Sequence, residues 1–159
     1  MRQRRSRQEK YPDTECFHYH NQNPKNRITT DCVIRAISLA TDTDYRQVVQ
    51  DAADIQCNTG YDDGSIQNMN LLMKRYGWVK MNQPRKDDNT KYTGYEWCDW
   101  LNNHDNINST IVANIGGHHT VCFKKTSDNI SDDMWKIWDI WDSCNGCVGI
   151  YWVKKGVVI

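Results

Sequence analysis

The stretch TTDCVIRAISLA, residues 29–40, combines a helix start signal with a long apolar run. Thr30 or Asp31 can accept hydrogen bonds from the free backbone amides that begin a helix. Apolar residues then recur at helical spacing on one face, and Ile34 and Leu39 add apolar surface elsewhere. A helix that is apolar on most sides is typical of the middle of a domain. The segment therefore predicts a buried central helix.

Cys32 lies in the first turn of this predicted helix. The thiolate is the reactive form of cysteine, and a helix N-terminus stabilises negative charge. The backbone amide of Cys32 is also placed to donate to an oxyanion. A cysteine at a buried helix start is often there only for packing, so its chemistry depends on partners elsewhere in the chain. We predict Cys32 as the nucleophile on the condition that such partners exist.

The rest of the chain reads as helices first and strands later. Helical spacing predicts further helices at residues 44–54, 65–76 and 95–103. Short β-rich runs separated by turn residues then predict strands at residues 109–115, 118–125, 136–142 and 147–155. This order predicts an α+β fold in which the helices pack on a C-terminal antiparallel sheet. We interpret residues 1–25 as a basic, polar lead-in and residues 26–159 as a single domain.

Two histidines and two aspartates on these strands are the candidate partners of Cys32. His118 and His119 open one strand after a Gly-Gly turn, and Asp139 and Asp142 lie in the IWDIWDS segment of the next. A histidine can take the thiol proton and later protonate a leaving group, and a carboxylate can orient its ring. Neighbouring strand residues point to opposite faces. The pattern leaves open which histidine and which aspartate face the thiol.

The order Cys, His, Asp resembles the papain-like cysteine peptidase superfamily. The segments DCVIRAIS, HHTVCF and IWDIWDS are similar to those of small proteins encoded by phages and related mobile elements. The resemblance covers roughly residues 26–78 and 110–152, and the DC-x-x-RAI pattern is its most specific part. It implies a papain-like fold with Cys32 as nucleophile, His119 as base and Asp142 as the third member of a triad.

Asn26 lies six residues before Cys32, where papain-like enzymes keep a glutamine for the oxyanion hole. The resemblance therefore implies Asn26 in that role, although its side chain is shorter. It also implies thiol-dependent hydrolysis or acyl transfer at an amide or peptide bond of a protein or peptide substrate, with no cofactor. The alternative is a catalytically silent papain-like scaffold that binds a protein or nucleic acid in a phage–host interaction.

The charge balance argues against a general nucleic-acid binder, because 20 basic residues equal 20 acidic ones. The first ten residues, MRQRRSRQEK, are a local exception. They are either an arm that touches nucleic acid or a solvated tail. The sequence contains neither an apolar run of membrane-spanning length nor a signal peptide. We therefore expect a cytoplasmic protein without membrane contacts, in the host cytoplasm if a phage encodes it.

The seven cysteines are odd in number and irregular in spacing, which disfavours a disulfide framework. Cys144 and Cys147 form a lone CxxC pair. A zinc site there would need about two more ligands, which His18 or His20 could supply. Packing, or a surface turn that carries two thiols, is the preferred interpretation, and we expect no metal.

Overall fold

The computed structural model describes residues 4–104, 107, 109–126 and 133–159. Within these ranges the helices are α1 (Arg7–Lys10), α2 (Cys32–Thr41), α3 (Tyr45–Thr59), α4 (Ile66–Arg75) and α5 (Gly94–Asn102). The strands in the same ranges are β1 (Phe17–Tyr19), β2 (Trp78–Met81), β3 (Ile111–Ile115), β4 (His119–Lys125), β5 (Trp135–Asp139) and β6 (Val148–Lys154). The chain is thus a mixed α+β protein, as predicted. No helix among the described residues is both long and apolar enough to cross a bilayer.

The described strands form one sheet in the order β1-β5-β4-β3-β6-β2. The four C-terminal strands pair antiparallel with one another, as expected. The sheet as a whole is mixed, because β1 joins its edge parallel to β5. This strand comes from the segment predicted as a lead-in, and Phe17 within it is fully buried. The lead-in therefore contributes to the core, and the predicted boundary at residue 26 does not separate it from the domain.

The sheet is covered on both faces by helices. Val112, Cys122 and Trp152 pack with the apolar residues of α2, α3 and α4 on one face. Trp97 and Phe123 belong to the core on the other face, where α5 packs against the sheet. Because side chains alternate along each strand, neighbouring residues of β3, β4 and β6 supply the two cores. Helix α2 lies directly against β4, which brings the start of α2 close to the histidine strand.

Helix α2 begins at Cys32 and is buried along most of its length, as predicted. Asp31 occupies the N-cap position, but its side chain makes no capping hydrogen bond. The expected cap by Asp31 is therefore wrong. The carboxylate instead pairs with Arg35 one turn later and accepts a hydrogen bond from Tyr45. These charged and phenolic partners outcompete the backbone amides for its oxygens.

Candidate functional site

The thiol of Cys32 and the ring of His119 lie close enough that each shifts the pKa of the other. Cys32 is the first residue of α2, and His119 is the first residue of β4. Gly116 and Gly117 precede the strand with φ values of 62° and 87°, a left-handed turn that favours glycine. His118 lies in the same turn and is exposed. The histidine that meets the thiol is therefore the one that enters the strand.

The carboxylate that contacts the histidine is Asp139. Its Oδ2 lies 2.5 Å from Nε2 of His119, and its side chain is only 4% exposed. The prediction of Asp142 at this place needs correction. Strand β5 ends at Asp139, and Asp142 follows in a turn where its Oδ1 accepts a hydrogen bond from the Cys144 amide at 2.9 Å. The sequence pattern extended the strand by three residues and so placed Asp142 at its end.

The three groups set the protonation states at the site. Burial disfavours the charged form of Cys32. The hydrogen bonds from His119 and the Thr120 backbone amide, with the positive charges of His119 and Arg35, outweigh it and lower the pKa of Cys32 below its ordinary value. Burial also disfavours the charged ring, but hydrogen bonds and charges from Asp139 and Cys32 raise the pKa of His119 to about 9. Both shifts favour a thiolate beside an imidazolium.

Arg35 joins the start of α2 to the end of β5. Its Nη1 donates to Oδ1 of Asp31 and, at 3.4 Å, to the Thr29 carbonyl, while its Nη2 donates to Oδ1 of Asp139 at 3.1 Å. The arginine is 4% exposed. Tyr45 donates its hydroxyl to the other oxygen of Asp31 at 2.5 Å, and burial together with this bond raises the pKa of Tyr45 to about 12.

A cavity of about 590 Å³ opens beside the thiol, between the start of α2, helices α3 and α4, and the turn before β4. Asn26 is not among its lining residues. It is exposed, has a φ of 52°, and accepts a hydrogen bond from the Asn21 amide at 3.2 Å. Its implied place in an oxyanion hole is therefore not supported. Among the described residues, the amide side chain that lines this cavity with Cys32 is Asn114.

A second recess, of about 500 Å³, is lined by His119. Trp141 lines it, and its ring lies 4.7 Å from the His119 ring between centroids. His118 lines both this recess and the cavity beside Cys32. Cys32 and His119 thus line different depressions of the surface, and the Trp141 indole is tilted beside the His119 ring.

The CxxC pair is split between interior and surface, since Cys144 is buried and Cys147 is exposed. Cys144 lies beside Cys16, whose sulfur is 3.4 Å from that of Cys98. His18 bonds to an aspartate instead of to these thiols. Over the described ranges, no group of three or more His, Cys, Asp or Glu side chains is suited to hold a metal ion. The thiols of this cluster are part of the core.

The reasoning from sequence missed the contacts of Arg35 and ranked Asp139 second. A usable signal for the first was present, because Asp31 and Arg35 are four residues apart and such pairs meet on one helix face. The buried environment of Asp139 was also visible in principle, since a carboxylate between two apolar strand residues needs a partner.

Comparison of the whole chain with protein-family models, with curated proteins and with solved structures gives no match.

Proposed function

We propose that this chain is a papain-like thiol hydrolase or acyl transferase that acts on an amide or peptide bond. The observation that supports this is the juxtaposition of three groups: the Cys32 thiol lies beside the His119 ring, and Oδ2 of Asp139 lies 2.5 Å from Nε2 of that ring. The thiol lies at a helix N-terminus, the ring lies between thiol and carboxylate, and the carboxylate is buried behind the ring. This is the order of nucleophile, general base and orienting carboxylate in a catalytic triad.

The contacts assign a role to each nitrogen of His119. Asp139 occupies Nε2, which leaves Nδ1 to take the proton of Cys32. The thiolate sulfur then bonds to the substrate carbonyl carbon, and the carbonyl oxygen takes the negative charge. The carbon–nitrogen bond breaks as Nδ1 gives its proton to the leaving nitrogen. Water, or an amine in acyl transfer, attacks the resulting thioester with His119 as base, which releases the acyl group and restores the thiol.

Two hydrogen-bond donors near the start of α2 can stabilise the negative charge on the substrate oxygen. Cys32 is the first residue of α2, so its backbone amide is one of those that have no partner within the helix. Asn114 lines the same cavity, and its Oδ1 accepts from Thr120 Oγ1 at 3.1 Å. That bond leaves its side-chain NH₂ group as the second donor we assign to the oxyanion.

The cavity beside Cys32 favours a protein or peptide substrate. It is lined by apolar side chains, among them Val49 and Ile66, together with polar groups and the exposed carboxylate-bearing residue Asp63. Such a mixed lining suits a peptide segment, which brings both apolar side chains and backbone hydrogen-bonding groups.

Alkylation and acylation of the purified chain test the proposal. With iodoacetamide near pH 6.5, Cys32 should react at least about tenfold faster than the exposed Cys57, because its thiolate is populated at lower pH. His119→Ala should abolish this advantage. p-Nitrophenyl acetate should acetylate Cys32, followed by deacetylation in wild type, as followed by mass spectrometry. Similar, slow reaction of all seven cysteines would instead favour a non-catalytic scaffold that binds protein or nucleic acid.

A further inference from the structure

The carboxylate of Asp139 is divided between two partners. Its Oδ2 contacts Nε2 of His119 at 2.5 Å, and its Oδ1 accepts a hydrogen bond from Nη2 of Arg35 at 3.1 Å. A carboxylate held by one oxygen can still rotate about its last bond. Held at both oxygens, it presents a fixed lone pair to the ring, so the Arg35 contact bears on the direction of the His119 hydrogen bond.

Arg35 is itself held, because its guanidinium is shared between two aspartates. Nη1 bonds to Asp31 at the start of α2, and Nη2 bonds to Asp139 at the end of β5. The group is planar and rigid, so fixing one nitrogen sets the position of the other. At 4% exposure the pair is little screened by water or salt. The first turn of the Cys32 helix is thus tied to the carboxylate behind the base.

We propose that Arg35 is a positioning residue for the base: it fixes the Asp139 carboxylate and, through it, the ring orientation and tautomer of His119. The effect of Arg35 on the reactivity of Cys32 rests on the proposed function. With Asp139 fixed, the neutral ring keeps its proton on Nε2, and Nδ1 stays free to accept the thiol proton. The arginine of the DC-x-x-R pattern therefore acts on the thiol of the same pattern by way of two residues on the sheet.

A purely structural ion pair would hold α2 to β5 and do nothing more. Its loss would lower stability and leave the ring of His119 unchanged. The positioning role predicts a change in the ring even where the protein stays folded. A lysine at position 35 cannot replace the arginine, because an ammonium group is a point charge and lacks the fork that reaches Asp31 and Asp139 together.

Nitrogen NMR of ¹⁵N-histidine-labelled protein measures the ring directly. In a Cys32→Ser background, which removes the thiol, His119 should be a single Nε2-protonated tautomer at pH values above its titration. Arg35→Met in that background should give a mixture of the two tautomers. If Arg35→Met fails to fold, Arg35→Lys keeps the buried charge and should give the same mixture. A single unchanged tautomer in a folded variant overturns the proposal.

Alkylation in the Cys32-containing protein supplies the second measurement. Arg35→Met should slow Cys32 alkylation near neutral pH by at least about tenfold, and combining it with Asp139→Asn should be no slower than Asp139→Asn alone. Multiplied effects of the two changes would mean that Arg35 does not act through Asp139 and would overturn the proposal. Arg75→Met, at an exposed arginine that also contacts two aspartates, is the matched control. If Cys32 of the wild type alkylates slowly but the Arg35 variants still change the His119 tautomer, the proposed function is rejected and the positioning role is supported.

Discussion

Two arginines of this chain each bridge a pair of aspartates, in opposite surroundings. Arg75 contacts Asp51 at 3.4 Å and Asp54 at 2.9 Å, and 41% of its side chain is exposed. Arg35 makes the same kind of bridge with a side chain that is 5% exposed. At the surface, each charge is already well solvated by water before the ion pair forms. The pair therefore adds little to the free energy of unfolding.

The buried bridge differs because Arg35 and Asp139 are almost fully enclosed, so neither can return to water when the other is removed. Replacing all members of a buried pair can be neutral, but removing a single member leaves an uncompensated charge in the interior. The number of ion pairs therefore does not predict how much stability a mutation removes. The loss depends on whether the remaining charge can be solvated once its partner is gone. Four predictions test this difference.

The largest effect is expected for Arg35→Met, which leaves the buried carboxylate of Asp139 and the partly buried carboxylate of Asp31 without their cation. It should lower the free energy of unfolding by roughly 3–5 kcal/mol. Urea titration followed by tryptophan fluorescence measures it. A loss below about 1 kcal/mol would mean that the buried bridge behaves like the surface one.

A second prediction concerns pH. Because the folded pKa of His119 is raised to about 9 from an ordinary 6.5, its protonation stabilises the folded chain fully below about pH 6.5, and this contribution is lost as pH rises through about 9. The Cys32 thiol titrates in the opposite sense through the same contact, so the test uses a Cys32→Ser background, where Asp139 still favours the charged ring. In that background, the loss of unfolding free energy caused by His119→Gln should shrink as pH rises from roughly 6 to 10. Denaturant titrations at several pH values measure it, and a constant difference would contradict the raised pKa.

The third prediction is that mutation of Asp139 and mutation of Asp142 affect the alkylation rate of Cys32 differently. Asp139→Asn removes the partner of Nε2 and should slow Cys32 alkylation near neutral pH by at least about tenfold, which is about 1.4 kcal/mol. Asp142→Asn changes a residue whose contact is with the Cys144 amide, and it should leave the alkylation profile in place. Rates against pH for both variants decide the point, and a larger effect from Asp142→Asn would restore the prediction made from sequence.

The smallest effect is expected for Arg75→Met on the surface. It should change the free energy of unfolding by less than about 1 kcal/mol, and the change should shrink further in about 1 M salt. The same urea titration, run with and without added salt, provides the number. A loss as large as that of Arg35→Met would remove the distinction between the two bridges.

The position of Cys32 could be predicted because its signals are local. A helix start and an apolar run are read from a dozen consecutive residues, and α2 begins where they place it. The choice of Asp142 over Asp139 was wrong because it depended on where β5 ends, and strand ends follow from pairing with distant segments. Asn26 was carried over by its spacing from Cys32, but its backbone and exposure take it away from the cavity.

The edge strands β1 and β2 were missed for a related reason. They have three and four residues, too few for a period to be recognised against polar surroundings. β1 pairs parallel with β5, so its partner lies at the far end of the chain, with Phe17 opposite Ile137. The pairing partner of such a short strand is determined by the tertiary structure and cannot be predicted from the local sequence.

The contact between Arg35 and Asp139 joins residues that are 104 positions apart. A ribosome adds residues in order, so the Cys32 helix leaves it long before β4 and β5 are made. Until those strands are synthesised, the nascent helix carries Cys32 without His119 or Asp139 beside it. Long-range pairings of this kind form late and slowly. Under the proposed function, Cys32 would therefore become reactive only after β4 and β5 have been synthesised, so the incomplete chain would carry an unactivated thiol.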